Sequence, residues 1–487
     1  MFLASGAVLV LEIVGMRLVA PYVGVTLQTS SAVIGVALTA IALGAWTGGR
    51  LADDVDPRQT LGLVLMSSGL AAAITVPLVR AFGPLLQGGG PGNVVALAVM
   101  ALFVPSALLA SVTPTVVKLQ LRDFGQTGTI VGRLSGIGTL GAILATFATG
   151  FVLVAMVPSS GIVVGLGSAL LVAGAALWFV LRRPPGGDPV RVPVTAILLG
   201  ISAAGVAVTA PTPCQVETAY HCANVVPDPA RPATGRILAF DRLQESYVDV
   251  ADPTHLEYAY VQAIASTADV RWPARAPISA LYVGGGGLTI PRYISATRPG
   301  TAGRVLEIDP AALALSRSLL GARGIPGLQA RVGDARVTLR EEAVGSRDLI
   351  VGDAFSGPAV PWHLTTREFL REIRRTLRPG GVYAVNVIDF PPNRFARAAV
   401  ATIRSELPHV AMLASPDQVA GRAGGNFVLV ASTAALPVDA IRARLAERGT
   451  PFTVATGQAV DAFSSGAPVL TDDYAPVDQL VNSSWLH

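Results

Sequence analysis

The sequence predicts a multi-domain fold, an α-helical transmembrane bundle of about seven spans followed by an α/β domain with a small β-meander at its N-terminal edge. Three observations carry that reading. Of 487 residues, 51% are hydrophobic and only 14% are charged, against roughly one quarter charged in an ordinary soluble domain. The charges are unevenly spread, nearly absent from residues 1–210 and at ordinary soluble density over 231–450. Beyond residue 276, short apolar runs ending in Gly or Asp alternate with helical segments, the pattern of a sheet wound by crossover helices. A net charge of +4, without a basic run interleaved with aromatics, argues against nucleic acid as a partner. The lipid bilayer is the first partner the composition demands.

About 20 apolar residues match the thickness of the hydrocarbon layer. Seven such runs fall at 1–22, 30–49, 61–80, 93–117, 134–157, 161–181 and 192–210. The first has no basic leader and carries Glu12 and Arg17 inside it, so it reads as a retained helix and not a cleaved signal. Both charges are costly in lipid. Arg17, near the span end, is expected to snorkel, and Glu12 to pair with another helix. Gly132, Gly136, Gly138 and Gly141 in one helical stretch predict close helix packing.

Basic residues collect on the cytoplasmic side of a membrane. Here they collect in the even loops: Arg50 and Arg58, then Lys118, Arg122 and Arg133, then Arg182, Arg183 and Arg191. The odd loops offer little beyond Arg80. A cytoplasmic N-terminus follows, and seven crossings put everything after Pro211 outside the cell. The only cysteines, Cys214 and Cys222, follow the last span directly, and paired cysteines suit an oxidising compartment. A disulfide is favoured over free thiols; a metal site would need ligands beyond His221, and none is visible, so no metal is expected. The domain boundaries predicted are 1–210 for the membrane part, 211–234 for a linker with the cysteine pair, 235–275 for the meander and a helix, and 276–487 for a Rossmann-like nucleoside-binding domain.

In the α/β part, residues 237–250 alternate as a meander would, and 254–266 read as a helix. Strands are expected at 278–283, ending in Gly284-Gly285-Gly286-Gly287; at 304–308, ending in Asp309; at 328–332, ending in Gly333-Asp334; at 348–351, ending in Asp353; and at 382–387. A helix at 365–377 should stop at Arg378-Pro379-Gly380-Gly381. The expected sheet is parallel, with its ligand at the carboxyl ends of the strands. Glycines there let backbone approach a ligand closely, and Glu307 or Asp309 stands where dinucleotide folds hold ribose hydroxyls.

This series of strand ends resembles the spermidine synthases, the aminopropyltransferases that share the class I methyltransferase fold. The resemblance covers roughly residues 235–435. The whole chain is similar to membrane-fused spermidine synthase-like proteins through Leu11-Glu12-Ile13-Val14-Gly15-Met16-Arg17, Gly48-Gly49-Arg50-Leu51-Ala52-Asp53 and Thr471-Asp472-Asp473-Tyr474-Ala475-Pro476. The resemblance implies that Gly284, Gly285 and Gly286 line a sulfonium nucleoside, decarboxylated S-adenosylmethionine or a related S-adenosyl nucleoside. It implies that Glu307 holds the ribose, Asp334 the adenine amine, and that Gln244, Tyr247 and Tyr260 close the pocket. Asp353 falls on the first aspartate of the family's catalytic loop, where a carboxylate takes the proton that an attacking amine must lose. A small-molecule amine is the implied acceptor, and a homodimer is admitted as a further assembly.

The chain departs from the family at Gly287 and Ser356, where aspartates hold the cationic ends of donor and acceptor; each such contact is worth roughly 1.5–3 kcal/mol. His363 is either a second acid/base or a helix-start residue packed by Trp362. Asn386 either contacts a ligand or forms a turn. Three functions follow: a membrane-anchored transferase with Asp353 as base, a catalytically degenerate nucleoside-sensing protein, and a transporter of polyamine-like solutes. The predicted orientation stands in tension with the first, because adenosyl donors are made inside the cell.

Overall fold

In the computed structural model the described residues are 1–24, 27–87, 90–121, 127–181, 191–241, 243–354 and 360–482; Arg122, Arg182, Arg183 and Ser356, named above, lie outside them. The chain divides into two compact units, Met1–Cys222 and Ala223–His487, with the boundary inside the segment read as a linker.

Among the described residues the first unit contains six helices long and apolar enough to cross a membrane: Phe2–Val23, Leu27–Asp54, Pro57–Leu85, Pro91–Gln120, Thr127–Met156 and Ser159–Leu181. A further helix, Arg191–Thr209, carries a shorter apolar stretch, Val194–Ala207. Outward faces bear the exposed apolar side chains of Leu38, Phe147, Phe151, Val172 and Val180. Glycines set the packing, because without a Cβ two helix backbones can close up. A Cβ on Gly44 would stand 2.0 Å from the Ala107 carbonyl oxygen, and one on Gly48 would stand 2.4 Å from Ser111. These two helices therefore run in the same direction. Gly62 faces Gly174 and Trp178 while Gly69 faces Gly167 and Leu171, an antiparallel register. Of the glycines singled out in the sequence, Gly138 and Gly141 pack on the start of the first helix, whereas Gly132 and Gly136 meet nothing within 4 Å.

Several of the charges sit toward helix ends, though Glu12 lies in the middle of Phe2–Val23. Lys118 pairs with Asp53 at 2.7 Å. Arg80 donates to the carbonyls of Ala207 and Ala210 at 2.6 and 3.1 Å. Arg17 donates to the carbonyls of Thr218 and Ala219 and stands 3.6 Å from Glu217. Glu217 in turn accepts from the Ser159 backbone N–H at 2.9 Å, at the start of the helix Ser159–Leu181. Glu12, expected to pair with another helix, has no hydrogen-bond or ion-pair partner among the described residues. Residues 214–222 form a loop closed by a Cys214–Cys222 disulfide, with the short strand β1 (Val216–Glu217) inside it.

In the second unit, β2 (Cys222–Pro227), β3 (Gly235–Phe240) and β4 (Leu243–Asp249) pair antiparallel in sequence order. Their apolar face, with Leu238 and Val248, packs on Ala312 and Leu315 of the helix Pro310–Leu319. The main sheet has eight strands in the order β12-β10-β11-β9-β8-β5-β6-β7. They are β5 (Ser279–Val283), β6 (Ala302–Glu307), β7 (Leu328–Val332), β8 (Arg347–Gly352), β9 (Leu377–Asp389), β10 (His409–Ala414), β11 (Gly425–Ser432) and β12 (Thr453–Thr456).

Three corrections follow. The sheet is mixed: β5 to β9 are parallel, but β11 joins β9 antiparallel, and β10 and β12 extend that edge antiparallel. The run Phe427–Ala431 in β11 is fully buried at every residue, so it shows none of the alternation that marks an antiparallel strand with one wet face. The helix expected at 254–266 is Ala259–Arg271. The Asp252 side chain accepts from the backbone and hydroxyl of Thr254 and holds that stretch as a turn. The helix expected at 365–377 is Arg367–Thr376, and the chain passes straight into β9 through Arg378-Pro379-Gly380-Gly381, with Gly380 at φ +73°.

Near the amino ends of β6 and β8, Glu342 binds two arginines: Arg304 at 2.7 Å and Arg347, the latter 10% exposed beside a Glu342 side chain 3% exposed. Removing one partner of a buried pair strands the other charge, at about 3 kcal/mol. Glu342→Ala is expected to lower the unfolding temperature by roughly 5–10 °C, read by thermal melting of the detergent-solubilised chain; an unchanged midpoint would show that the pair is solvated.

Candidate functional site

Four strand ends and the meander converge. After β5 the chain turns through Gly284, at φ +94°, where a Cβ would stand 2.1 Å from the Asp353 carbonyl oxygen. Only glycine meets both conditions. Gly286 is also left-handed, at φ +46°. Gly285 donates its N–H to Glu307 Oε2 at 2.7 Å, and the other Glu307 oxygen accepts from the Asp309 N–H at 2.9 Å. Burial raises the Glu307 carboxyl above its usual range, against these backbone hydrogen bonds. The acidic residue that ends β6 therefore braces the glycine turn. Asp309 caps the following helix through the Ala311 N–H.

The meander covers the glycine turn. Ser246 on β4 accepts from the Gly287 N–H at 2.9 Å, and Thr289 donates to the Tyr247 carbonyl at 2.8 Å. A Cβ at Gly287 would stand 2.8 Å from Ser246 Cβ and 3.0 Å from Val248, so this chain has no room for a side chain there. Gln244 accepts from Tyr258 at 3.4 Å, and Tyr247 donates to Asp228 at 3.0 Å. Tyr247, Tyr258 and Tyr260 form an aromatic row, with ring centroids 6.3 and 6.1 Å apart. Burial holds Tyr258 up at about 12 and Tyr260 well above its ordinary value, so both remain phenols.

Tyr260 ends this row on Asp353. Its hydroxyl donates to Asp353 Oδ2 at 3.2 Å, while Asn386 Nδ2 donates to Oδ1 at 2.9 Å. Asn386 lies within β9 and is buried, and its own carbonyl oxygen accepts from Asn426 on β11 at 3.0 Å. It is therefore neither a turn former nor free. Burial pushes the Asp353 carboxyl up to about 6, with the two side-chain donors pulling the other way. A carboxylate that changes state near neutrality, at a strand end, is a candidate acid/base.

His363 is set apart from Asp353. It stands in the short helix Trp362–Leu364, with Nε2 3.3 Å from Asp334 Oδ2 and its ring edge-on to Trp362. The Asp334 side chain also caps Ala335–Thr338 through the Arg336 N–H. The two residues form one polar group after β7, pinned from below by Asp472 of the Thr471-Asp472-Asp473 segment, which accepts from Arg336 and Thr366. Sequence reasoning named Gly284, Gly285, Gly286, Glu307, Tyr260 and Asp353, which the fold brings to one edge. It missed Ser246 and Asn426. Ser246 lies between Gln244 and Tyr247, both named from the sequence, and was within reach; Asn426 carries no local signal. Among the described residues no group of three or more His, Cys, Asp or Glu is placed to hold a metal ion.

No family model matches the chain. It is similar to a polyamine aminopropyltransferase of Vibrio vulnificus, 28% identical over 163 residues, which cover 33% of this chain and 52% of the relative. The match thus spans about half the length of that curated relative. Among solved structures the chain is similar to a probable spermidine synthase of Corynebacterium glutamicum, 29% identical with a TM-score of 0.49, covering 53% of this chain and 95% of the other. It is also similar to the spermidine synthase of Thermotoga maritima, at 15% identity and TM-score 0.33, covering 46% and 76%. The chain has spermidine synthase-like homologues, and six apolar helices ahead of the α/β unit fit a membrane-fused arrangement.

Proposed function

We propose that the chain is a membrane-anchored, spermidine synthase-like transferase that moves an aminopropyl or related alkyl group from an S-adenosyl-type sulfonium nucleoside to an amine. The observation that carries this reading is Asp353, held by Tyr260 and Asn386 beside the Gly284 turn. In the reaction the amine lone pair forms a bond to the carbon next to the sulfonium. The carbon–sulfur bond breaks with its electron pair going to sulfur, leaving a neutral thioether. The amine proton passes to Asp353, whose negative charge also stabilises the ammonium as it develops. Gly284 to Gly286 would approach the nucleoside through backbone, with Asp334 and His363 toward the base. Glu307 reaches a ribose only by exchanging one of its backbone hydrogen bonds.

The full chain in detergent, given decarboxylated S-adenosylmethionine and a panel of amines, is expected to release 5′-methylthioadenosine, and Asp353→Asn to release almost none. Equal release from both, or none from either, sinks the transferase reading. Turnover should also fall on the acid side with an apparent pKa of about 6, because the base works only ionised. Tyr260→Phe removes one donor to the anion and should move that limb upward; an acid limb that ignores Tyr260 would detach it from Asp353.

Helix Arg191–Thr209 we infer to be a seventh crossing. Its end bonds Arg80, at the end of the helix that begins at Pro57, and Thr195 and Leu199 flank Leu63 and Met66 near that helix's start. The two therefore run side by side in the same direction. Seven crossings put the chain's two ends on opposite sides, and the disulfide supports an extracytoplasmic α/β unit. Reporter fusions after Ala210 and His487 test this; a cytoplasmic signal from either overturns it.

A further inference from the structure

We propose that the membrane bundle holds a sodium-ion site, formed where Glu12 of the first span meets the hydroxyls of Ser106 on the fourth and Thr149 on the fifth. Glu12 stands at the midpoint of the 22-residue helix Phe2–Val23, about 15 Å from either end. A bare carboxylate at that depth is costly, and among the described residues it has no ion-pair partner. Arg17 is turned about 140° round the same helix and bonds the carbonyls of Thr218 and Ala219. Arg80 bonds the carbonyls of Ala207 and Ala210, and Lys118 pairs with Asp53.

The two hydroxyls differ from their neighbours. Ser68, Thr75, Thr115 and Thr146 each donate to a carbonyl four residues earlier in their own helix, which satisfies a hydroxyl within a span. Ser106 and Thr149 are 1% and 0% exposed, and their hydroxyls have no hydrogen-bond partner among the described residues. Each lies in or beside a turn widened to i→i+5 bonding, Val99–Phe103 and Thr149–Leu153, where the α-helical ladder is interrupted.

Helix register brings the three groups to one depth. A Cβ on Gly15 would stand 2.6 Å from Leu102, so that face of the first span meets the fourth. Consecutive spans run in opposite directions, and the fourth runs with the second, so the fourth opposes the first. Ser106, one turn beyond Leu102 on the same face, therefore comes opposite Leu11. A Cβ on Gly141 would stand 2.3 Å from the Phe2 carbonyl oxygen, and one on Gly6 would stand 3.1 Å from Ala145, so the first and fifth spans run together. Thr149, one turn beyond Ala145, comes opposite Val10. Glu12 shares its helix stripe with Ser5, which meets the fifth span at Gly138, and is about 60° from Gly15, which meets the fourth. Helical side chains lean toward the N-terminus of their helix, which carries the Glu12 carboxylate to the level of Val10 and Leu11.

Carboxylate, hydroxyl and backbone carbonyl oxygens are hard ligands for a hard cation. One negative charge selects a monovalent ion, since a divalent one would leave net charge in an apolar interior. The two hydroxyls make no hydrogen bond to Glu12, so a proton there would not join the three groups, whereas a cation seated between them would.

Equilibrium dialysis of the full chain in detergent against radiolabelled sodium chloride is expected to show one ion bound per chain. Glu12→Gln should abolish binding. Ser106→Ala and Thr149→Val should each weaken it about tenfold or more, and Thr149→Ser, which keeps the hydroxyl, should restore it; melting without sodium reports that each variant is folded. In the wild type alone, sodium should raise the melting midpoint and slow the reaction of Glu12 with dicyclohexylcarbodiimide, read by mass spectrometry, while N-methylglucamine at equal ionic strength does neither. No sodium bound by the folded wild type, binding kept in Glu12→Gln or undiminished in both hydroxyl variants, or labelling that sodium leaves unchanged overturns the proposal.

Discussion

Asp353→Asn is expected to lower turnover by a factor of 100 to 10,000, the range that a positioned acid/base supplies, while nucleoside affinity stays within about threefold. The substitution is nearly isosteric. The introduced amide still accepts from Asn386 through its oxygen, and its nitrogen donates to the Tyr260 hydroxyl, so both contacts at 2.9 and 3.2 Å survive. What is lost is negative charge and proton affinity. The same variant should be more stable than the wild type, and the sign follows from the raised carboxyl. Below pH 4 the group is protonated in both folded and unfolded chains and contributes nothing. As pH rises through 4 to 6 the unfolded chain ionises first, so the folded state loses stability relative to it, by at most about 3 kcal/mol above pH 6. Asn carries no such term. Thermal melting at pH 7.5 should therefore show a higher midpoint for the variant, and at pH 4 the two should converge. A variant less stable than the wild type at pH 7.5 would mean that Asp353 is a structural anion, not a strained functional one.

The second large effect is expected at Gly284. Alanine there faces two penalties: a left-handed backbone, costing about 1–2 kcal/mol, and a Cβ 2.1 Å from the Asp353 carbonyl oxygen, a contact relieved only by moving backbone. The displaced strands are β5 and β8, which carry the glycine turn and Asp353 and pair directly. Gly284→Ala is expected to cost more than about 3 kcal/mol in all and to weaken nucleoside binding at least a hundredfold. Melting and titration with 5′-methylthioadenosine measure the two effects separately. Gly324→Ala is the control: it also has positive φ, at +68°, but a Cβ there meets nothing within 4 Å, so it should incur the backbone penalty alone and leave binding intact.

Much of the architecture was legible because it depends on local pattern. Apolar runs as long as the bilayer is thick announce helices whatever their neighbours do, and the parallel strands β5 to β8 declared themselves by short apolar runs ending in Gly or Asp. The wider sheet did not. The strand β11, buried on both faces, has a continuous apolar run that periodicity does not assign, and its antiparallel insertion beside β9 is a pairing between distant segments. Helix starts near Thr254 and Thr365 were misplaced because Asp252 and the short helix Trp362–Leu364 hold the preceding turns. Charges followed the same division: Arg17 stands out in the sequence as a cation inside an apolar run, but its acceptors, the carbonyls of Thr218 and Ala219, lie two hundred residues away.

At the site, the sequence by itself determined the composition of the strand ends: the glycine run, Glu307, Asp334 and Asp353, because a wound sheet delivers whatever follows each strand to one edge. It also determined that no acid stands at Gly287. Only the tertiary structure decided what those groups do to one another. It joined His363 to Asp334 and not to Asp353, spent both Glu307 oxygens on backbone N–H groups, and set Ser246 where a side chain at position 287 would have to go. It also turned Asn386 and Asn426 into a hydrogen-bonded chain ending on Asp353. The physical reason is range. Period and turn chemistry act over a few residues and can be read along the chain, whereas burial, hydrogen-bond partnership and the protonation they impose depend on residues that only folding brings within 3 Å.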